Sequence, residues 1–151
     1  MKKIVLNIFL FFILSNCGFA PIYSKSYNQN FDIELESILG DRLINNLIVS
    51  ELNRNKNDQS EKKIFVDINT DYKKTIYSKN ATGATASYEL NVISEINIKY
   101  KNKIENINIT EKFIMDKNDD SFSQNNYEQT IKRSFASSIT QKILFKLNSI
   151  K

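Results

Sequence analysis

Phe31, Ile33 and Leu35 alternate with Asp32, Glu34 and Glu36, the two-residue period of a strand with one buried face. Gly40-Asp41 breaks the alternation, and Asp41 is suited to cap a helix, since its carboxylate can accept a first-turn backbone N–H. Leu43, Ile44, Leu47, Ile48 and Leu52 then fall on one stripe and predict a helix to about Arg54. Asn53 to Lys63 is polar and reads as a loop. Alternation returns at Ile64, Val66 and Ile68, fades through Asp71-Tyr72-Lys73-Lys74, recovers at Ile76-Tyr77 and ends near Ser78. The small residues Ala81 to Ser87 predict a connection or hairpin turn.

The longest alternating run is Tyr88 to Tyr100. Tyr88, Leu90, Val92, Ile96, Ile98 and Tyr100 share one face, with Glu89, Asn91, Glu95, Asn97 and Lys99 on the other. Asn102-Lys103 suggests a tight hairpin into a further strand, where Ile107, Ile109, Phe113 and Met115 alternate with Asn108, Thr110 and Lys112. Asp116 to Asn126 reads as a polar break. Ile131, Phe135, Ile139, Ile143 and Leu147, at steps of four, predict a closing helix from roughly Tyr127 to Asn148. The order is β-α-β-β-β-α. It predicts an α+β two-layer sandwich: a four-stranded, mostly antiparallel sheet with two helices packed on one face.

The chain's beginning carries different information. Lys2-Lys3 precedes an apolar run from Ile4 to Leu14, and Leu14-Ser15-Asn16-Cys17 follows it. The run is too short to span a bilayer, which takes about 20 apolar residues, and it has the layout of a secretory signal peptide. Cys17 is the chain's single cysteine, positioned where lipoprotein processing would acylate its thiol and cleave the Asn16–Cys17 bond. This predicts a signal peptide over 1–16, a lipidated tether over 17–30 and one domain over 31–151. An uncleaved anchor helix with an incidental Cys17 is the alternative.

Composition removes several chemistries. With no His, a Ser-His-Asp or Cys-His nucleophilic site is impossible, as is a histidine metal ligand. With Cys17 committed to lipid, neither a disulfide nor a thiolate cluster can form. Three glycines, none in a nucleotide-cradling motif, argue against a phosphate loop. The formal net charge is +4, and two of those charges are Lys2 and Lys3. What remains is too small to argue for nucleic acid. Asp119-Asp120 reads as a solvated turn, not an acid–base pair. The expectation is a non-enzyme with no cofactor beyond the covalent lipid.

Cys17-Gly18-Phe19-Ala20-Pro21-Ile22-Tyr23 resembles the Cys-Gly-Phe-x-Pro-Leu-Tyr start of mature LptE, the lipopolysaccharide (LPS) assembly lipoprotein family, in its alphaproteobacterial-type sequences. Ile22 replaces Leu, and Ala20 stands where Arg is common, so no lipid-contact role is carried to that position. The stretch from Ile33-Glu34-Leu35 through Gly40-Asp41-Arg42 to Leu47 is similar to that family's first strand and helix. Ala84 to Leu90, and the helix following Ser134-Phe135-Ala136, are similar to later parts. The resemblance covers most of the mature chain. It implies an outer-membrane lipoprotein facing the periplasm that plugs the LptD β-barrel translocon, assists its assembly and can bind LPS. An accessory lipoprotein of another envelope transport complex would share the anchor and the size.

LPS offers phosphates and acyl chains, so lysines beside aromatic residues are the candidate contacts. Lys73, Lys74 and Lys79 flank Tyr72 and Tyr77; Lys99, Lys101 and Lys103 flank Tyr100. If those two stretches paired, their ends would make a single cationic edge at the sheet tip. The alternative is a solvated face whose lysines discourage edge-to-edge aggregation.

Overall fold

The computed structural model describes residues 31–150. The signal peptide, the Asn16–Cys17 bond and the tether lie outside the described residues. The elements run β1 (Asp32–Gly40), α1 (Arg42–Asn55), β2 (Lys63–Lys79), β3 (Thr85–Tyr100), β4 (Lys103–Asp116) and α2 (Ser121–Ser149). They form one four-stranded sheet in the order β1-β2-β3-β4. β1 and β2 are parallel, joined by α1 as the crossover that parallel neighbours require. The other two pairings are antiparallel hairpins. The α+β order and the sheet with two helices on one face agree with the pattern in the sequence.

One face of the sheet makes the core. Ile33 of β1, Ile64, Val66 and Ile68 of β2, and Leu90, Val92, Ile96 and Ile98 of β3 are sealed beneath the helices. Ile44, Ile48 and Leu52 of α1 and Ile131, Phe135, Ile139, Ile143 and Leu147 of α2 close it from above. Each fully buried aliphatic of this kind contributes about 1.5–3 kcal/mol. Thr70 and Ser94 interrupt the apolar rows as facing cross-strand partners, and their buried hydroxyls satisfy one another at 3.1 Å.

The turn from β1 into α1 is tightly specified. Gly40 has φ +99°, and a Cβ there would lie 1.8 Å from the Thr70 carbonyl oxygen. Only glycine can occupy that position without displacing backbone. The next amide, Asp41 N–H, donates to the same carbonyl at 2.9 Å. Asp41 then caps α1, its Oδ1 accepting from Ile44 N–H at 3.0 Å. Asn45 Nδ2 donates back to the Leu39 carbonyl at 2.8 Å, tying the first helical turn to the strand it leaves.

Three boundaries differ from the sequence reading. β2 is continuous through Asp71–Lys74, because Tyr72 and Lys74 face the helices and find partners there, so an apolar side chain is not needed to hold the strand. The β3–β4 turn is Lys101-Asn102, with Lys103 already paired to Tyr100. Finally, α2 begins at Ser121, six residues ahead of the predicted start. Its first turn is polar, and so resembles loop, but Asp120 caps it by accepting from Phe122 and Ser123 N–H. Hydrogen bonds from the Ser123 hydroxyl and backbone hold the Asp120 carboxyl below the usual range. Asp119 is paired with Lys117 at 2.9 Å.

Candidate functional site

The sheet register separates the six candidate lysines into two groups. Lys73 lies opposite Asn91 and Lys74 opposite Leu90, whereas Lys99 lies opposite Phe65. At roughly 3.3 Å per residue, the Lys73 and Lys99 levels are about 27 Å apart along β2. The two stretches therefore do not pair, and the single cationic edge expected from the sequence does not form. Strand register decides this: β2 turns back on itself at Asn80–Ala84, so its lysine-rich end meets the start of β3 and not its end.

Within the first group, alternation sends neighbouring lysines to opposite faces. Lys73 is exposed and ion-paired with Asp71 at 2.9 Å. Lys74 turns under α2, where Glu128 holds it at 2.6 Å and it sits 4.5 Å from the centre of the Tyr88 ring. Lys79 ends β2, exposed and without an ion-pair partner among the described residues. Around this end stand the exposed Ile76, Tyr77, Ile114 and Phe122, and Phe113 packed edge-on against Tyr127 at 6.1 Å.

In the second group, Lys99 bridges Glu36 at 2.6 Å and Asp67 at 3.0 Å on the open face. Lys101 sits at the β3–β4 turn, 5.1 Å from the Tyr100 ring centre. Lys103 is exposed beside it.

A polar cluster at the helix–sheet boundary was not foreseen as a unit. The Tyr72 hydroxyl donates to Glu128 at 2.7 Å, and Lys132 lies 3.7 Å from the Tyr72 ring centre. Lys132 also donates to Asp41 at 2.8 Å, with side chains only 15% and 17% exposed. Burial pushes the Glu128 carboxyl up, but hydrogen bonds and charge from Lys74, Tyr72 and Lys132 outweigh it, so Glu128 ends below the usual carboxylate range. Asp41 follows the same balance, with burial opposed by Lys132 and the helix N-terminal amides. Tyr72 moves strongly upward through burial, its bond to Glu128 and the nearby carboxylates. The signal in the sequence is the Glu128/Lys132 pair at i,i+4 flanking Ile131 of the buried stripe. This cluster joins β2, α1 and α2, and it has the character of a structural clamp.

The face opposite the helices is open, with polar side chains set among the exposed Leu39, Ile93, Ile104 and Ile114. Asp67, Asn69, Asp71, Lys73, Asn91, Glu95 and Asn97 project from it at alternate strand positions. A shallow cavity of about 260 Å³ lies between β1 and β3, lined by Ser37, Leu39, Asp67, Asn69, Glu95 and Asn97. Among the described residues no group of three or more acidic or sulfur side chains could hold a metal ion, and no helix is long and apolar enough to cross a membrane.

The arrangement is a two-layer α+β domain also found in a solved bacterial lipoprotein. Rare lipoprotein B from Shewanella oneidensis superposes with a TM-score of 0.60 at 15% identity, covering 77% of this chain and 95% of that one. An uncharacterized lipoprotein B from Nitrosomonas europaea matches at TM-score 0.46 and 14% identity, over 78% of this chain and 84% of that one. No protein-family model matches this chain, and no curated protein matches it by sequence. At 15% identity the likeness to the Shewanella protein establishes a shared fold.

Proposed function

We propose that this chain is an outer-membrane lipoprotein, acylated at Cys17 and facing the periplasm, that plugs the LptD β-barrel translocon and helps assemble it for LPS export. The observation that carries the reading is the fold shared with rare lipoprotein B over nearly that protein's whole length. The Cys-Gly-Phe-x-Pro-x-Tyr start at Cys17 supports it independently of fold.

The physics of the open face supports it as well. A wedge inside a hydrated lumen has to offer hydrogen-bonding groups, which this face does between its exposed Ile93, Ile104 and Ile114. Asn69, Asn97, Asn106 and Asn108 supply donors and acceptors together and carry no charge to desolvate. The protein acts by binding and positioning, not by catalysis. Its LPS contact falls at the β2–β3 end, where Lys79 stands beside the exposed Ile76 and Tyr77, a cation adjoining apolar surface as an acylated phosphosugar requires.

Affinity purification of the tagged mature chain from detergent-solubilised envelopes tests this. A stoichiometric β-barrel partner is expected, with surface LPS lost on depletion. Recovery with an inner-membrane ATPase complex in place of a barrel would instead identify an accessory subunit of another transporter.

A further inference from the structure

The sheet has two edges, and they are built differently. β1 is the shorter, and its pairing with β2 slips between Leu35 and Ser37. Glu34 and Glu36 stand along it, tied to Lys63 and Lys99. A bulge and charged side chains are common means of keeping an edge strand from pairing further. β4 has neither bulge nor proline. Its 14 residues run from Lys103 to Asp116 in an unbroken register with β3, and among the described residues no strand pairs with its outer side. Glu105 and Glu111, on its covered face, are already engaged by Lys146 and Lys142 of α2.

The hydrogen bonding of that outer side follows from the turn. Tyr100 and Lys103 face each other across a two-residue loop, which closes on a hydrogen-bonded pair. Bonding to β3 then recurs at every second residue, Glu105, Ile107, Ile109 and onward. The residues between them, Ile104, Asn106, Asn108, Thr110, Lys112 and Ile114, turn their N–H and C=O groups outward. Their side chains share the open face, and all are exposed. An isoleucine stands at each end of this row, Ile104 68% and Ile114 49% exposed, with uncharged polar residues at its centre.

We propose that β4 pairs antiparallel with β4 of a second copy of this chain, about a two-fold axis at Ile109, joining two sheets into one. In that register Ile104 meets Ile114 of the second copy at both ends, Asn106 meets Lys112, and Asn108 meets Thr110. The apolar pairs cover each other, and the Asn106 amide oxygen can accept from the Lys112 ammonium. On the covered face Glu105 falls opposite Phe113 and Glu111 opposite Ile107, so no like charges meet. Neighbouring registers lose this fit. A slide of two residues one way sets Glu105 against Glu111, and the same slide the other way sets Ile104 against Asp116. The outward residues of the two copies can make about twelve backbone hydrogen bonds across the axis. An isologous contact of this kind closes on itself, and it leaves the blunted β1 edges at the two ends of the joined sheet. The pairing needs no translocon barrel and does not depend on that role.

The purified full mature lipoprotein in detergent tests this. Ile104→Cys and Ile114→Cys chains are prepared separately and, with Cys17 acylated, each carries one free thiol. Across the axis these two positions lie about 5.5 Å apart by Cα, whereas the two copies of Ile104 lie about 34 Å apart along the strands. With a short bis-maleimide, the mixture is expected to give severalfold more covalent dimer than either chain alone. No coupling in the mixture, or equal coupling in the separate chains, overturns the pairing. Light scattering should report the protein mass of two chains, falling to one chain in Asn108→Pro, since proline removes an outward N–H that the single sheet does not use. A folded Asn108→Pro chain that stays dimeric overturns the proposal. If that variant fails to fold, Ile104→Lys with Ile114→Lys, both at exposed positions, is expected to separate the copies, and a dimer that survives them counts equally against it. A chain that is monomeric when pure and couples through position 104 only to another protein in envelope extract would assign the edge to that protein's strand and overturn the second copy. Coupling of the parent chain to itself would show Cys17 to be a free thiol, a failure of the anchor reading and not of the pairing, and the same mixture on a Cys17→Ser background then decides.

Discussion

Along β2, Ile64, Val66, Ile68 and Thr70 are sealed beneath the helices, while Asp67, Asn69, Asp71 and Lys73 point the other way into solvent. β3 repeats the division, with Leu90, Val92, Ser94, Ile96 and Ile98 buried against Ile93, Glu95 and Asn97 exposed. The covered face is held by close packing, with Thr70–Ser94 and Tyr72–Glu128 paired within it. The open face mixes polar groups and exposed apolar side chains such as Ile93 and Ile104 with solvated ion pairs such as Lys73–Asp71 and Lys99–Glu36. Stability therefore resides on one face, which leaves the other free to meet a partner without cost to the fold.

The largest expected effect comes at the hinge that aligns α1 over the covered face. Gly40→Ala would place a methyl group 1.8 Å from the Thr70 carbonyl oxygen, at φ +99°. Because the obstacle is backbone, the strand or the helix cap must shift, and a loss of about 4 kcal/mol or more is expected. Urea denaturation measures it, and a loss under about 1 kcal/mol would mean the β1–α1 turn is looser than its geometry. Next in size is a pair of neighbouring substitutions that compares the faces directly. Ile68→Ala removes a side chain that is 1% exposed and should cost about 2–5 kcal/mol. Asn69→Ala, one residue on and outward, should stay within about 0.5 kcal/mol. Equal losses would erase the distinction between the faces.

Much of this division is legible in the sequence, because a two-residue period sorts side chains by face wherever the strand is regular. The cap at Asp41 and the long alternation of β3 are plain for that reason. What the alternation cannot convey is which strand levels meet. The six lysines look like one cluster along the chain, yet the register sets Lys73 against Asn91 and Lys99 against Phe65. Likewise, Tyr72 and Lys74 sit on the covered face as polar groups, and their partner Glu128 lies over fifty residues away on α2. No local pattern announces such a contact. The polar first turn of α2 was hidden for a different reason: capping by Asp120 stabilises a helix whose opening residues face water and so carry no apolar stripe.

That polar clamp offers effects of middle size. Tyr72→Phe leaves the ring in place and removes the bond to Glu128, with an expected cost of about 1–2 kcal/mol in urea denaturation. No loss would show that the hydroxyl only borders the cluster. Acid should act on the same clamp. Asp41 and Glu128 have folded values below their unfolded ones, and Glu111, buried but held by Lys142 and Ser138, is also lowered. Their contribution is complete above the unfolded carboxylate range and disappears as pH falls through the depressed folded values. Tyr72 has the opposite sign, since its neutral form is favoured in the fold. Its contribution is complete below pH about 10 and declines as the unfolded tyrosine begins to ionise. Melting curves across pH should fall at both extremes. Glu128→Gln should flatten the acid limb, and an unchanged acid limb in that variant would remove Glu128 from the cause.

The smallest expected effect is the one that probes the open face most closely. Lys99 bridges Glu36 of β1 and Asp67 of β2, and on a diagram it would look like a staple across the parallel pair. Lys99 and Glu36 are well solvated and Asp67 partly so, however, and such ion pairs gain little over hydration and are screened by salt. β1 is already held to β2 by its backbone ladder and by Ile33 in the core. Lys99→Gln is therefore expected to leave the denaturation midpoint unresolved from that of the parent chain at physiological salt. A clear drop that vanishes at high salt would make the bridge a real fastening of the edge strand. In that case the open face could not be remodelled by a partner without loosening β1, and the separation between a structural face and a binding face would fail at this point.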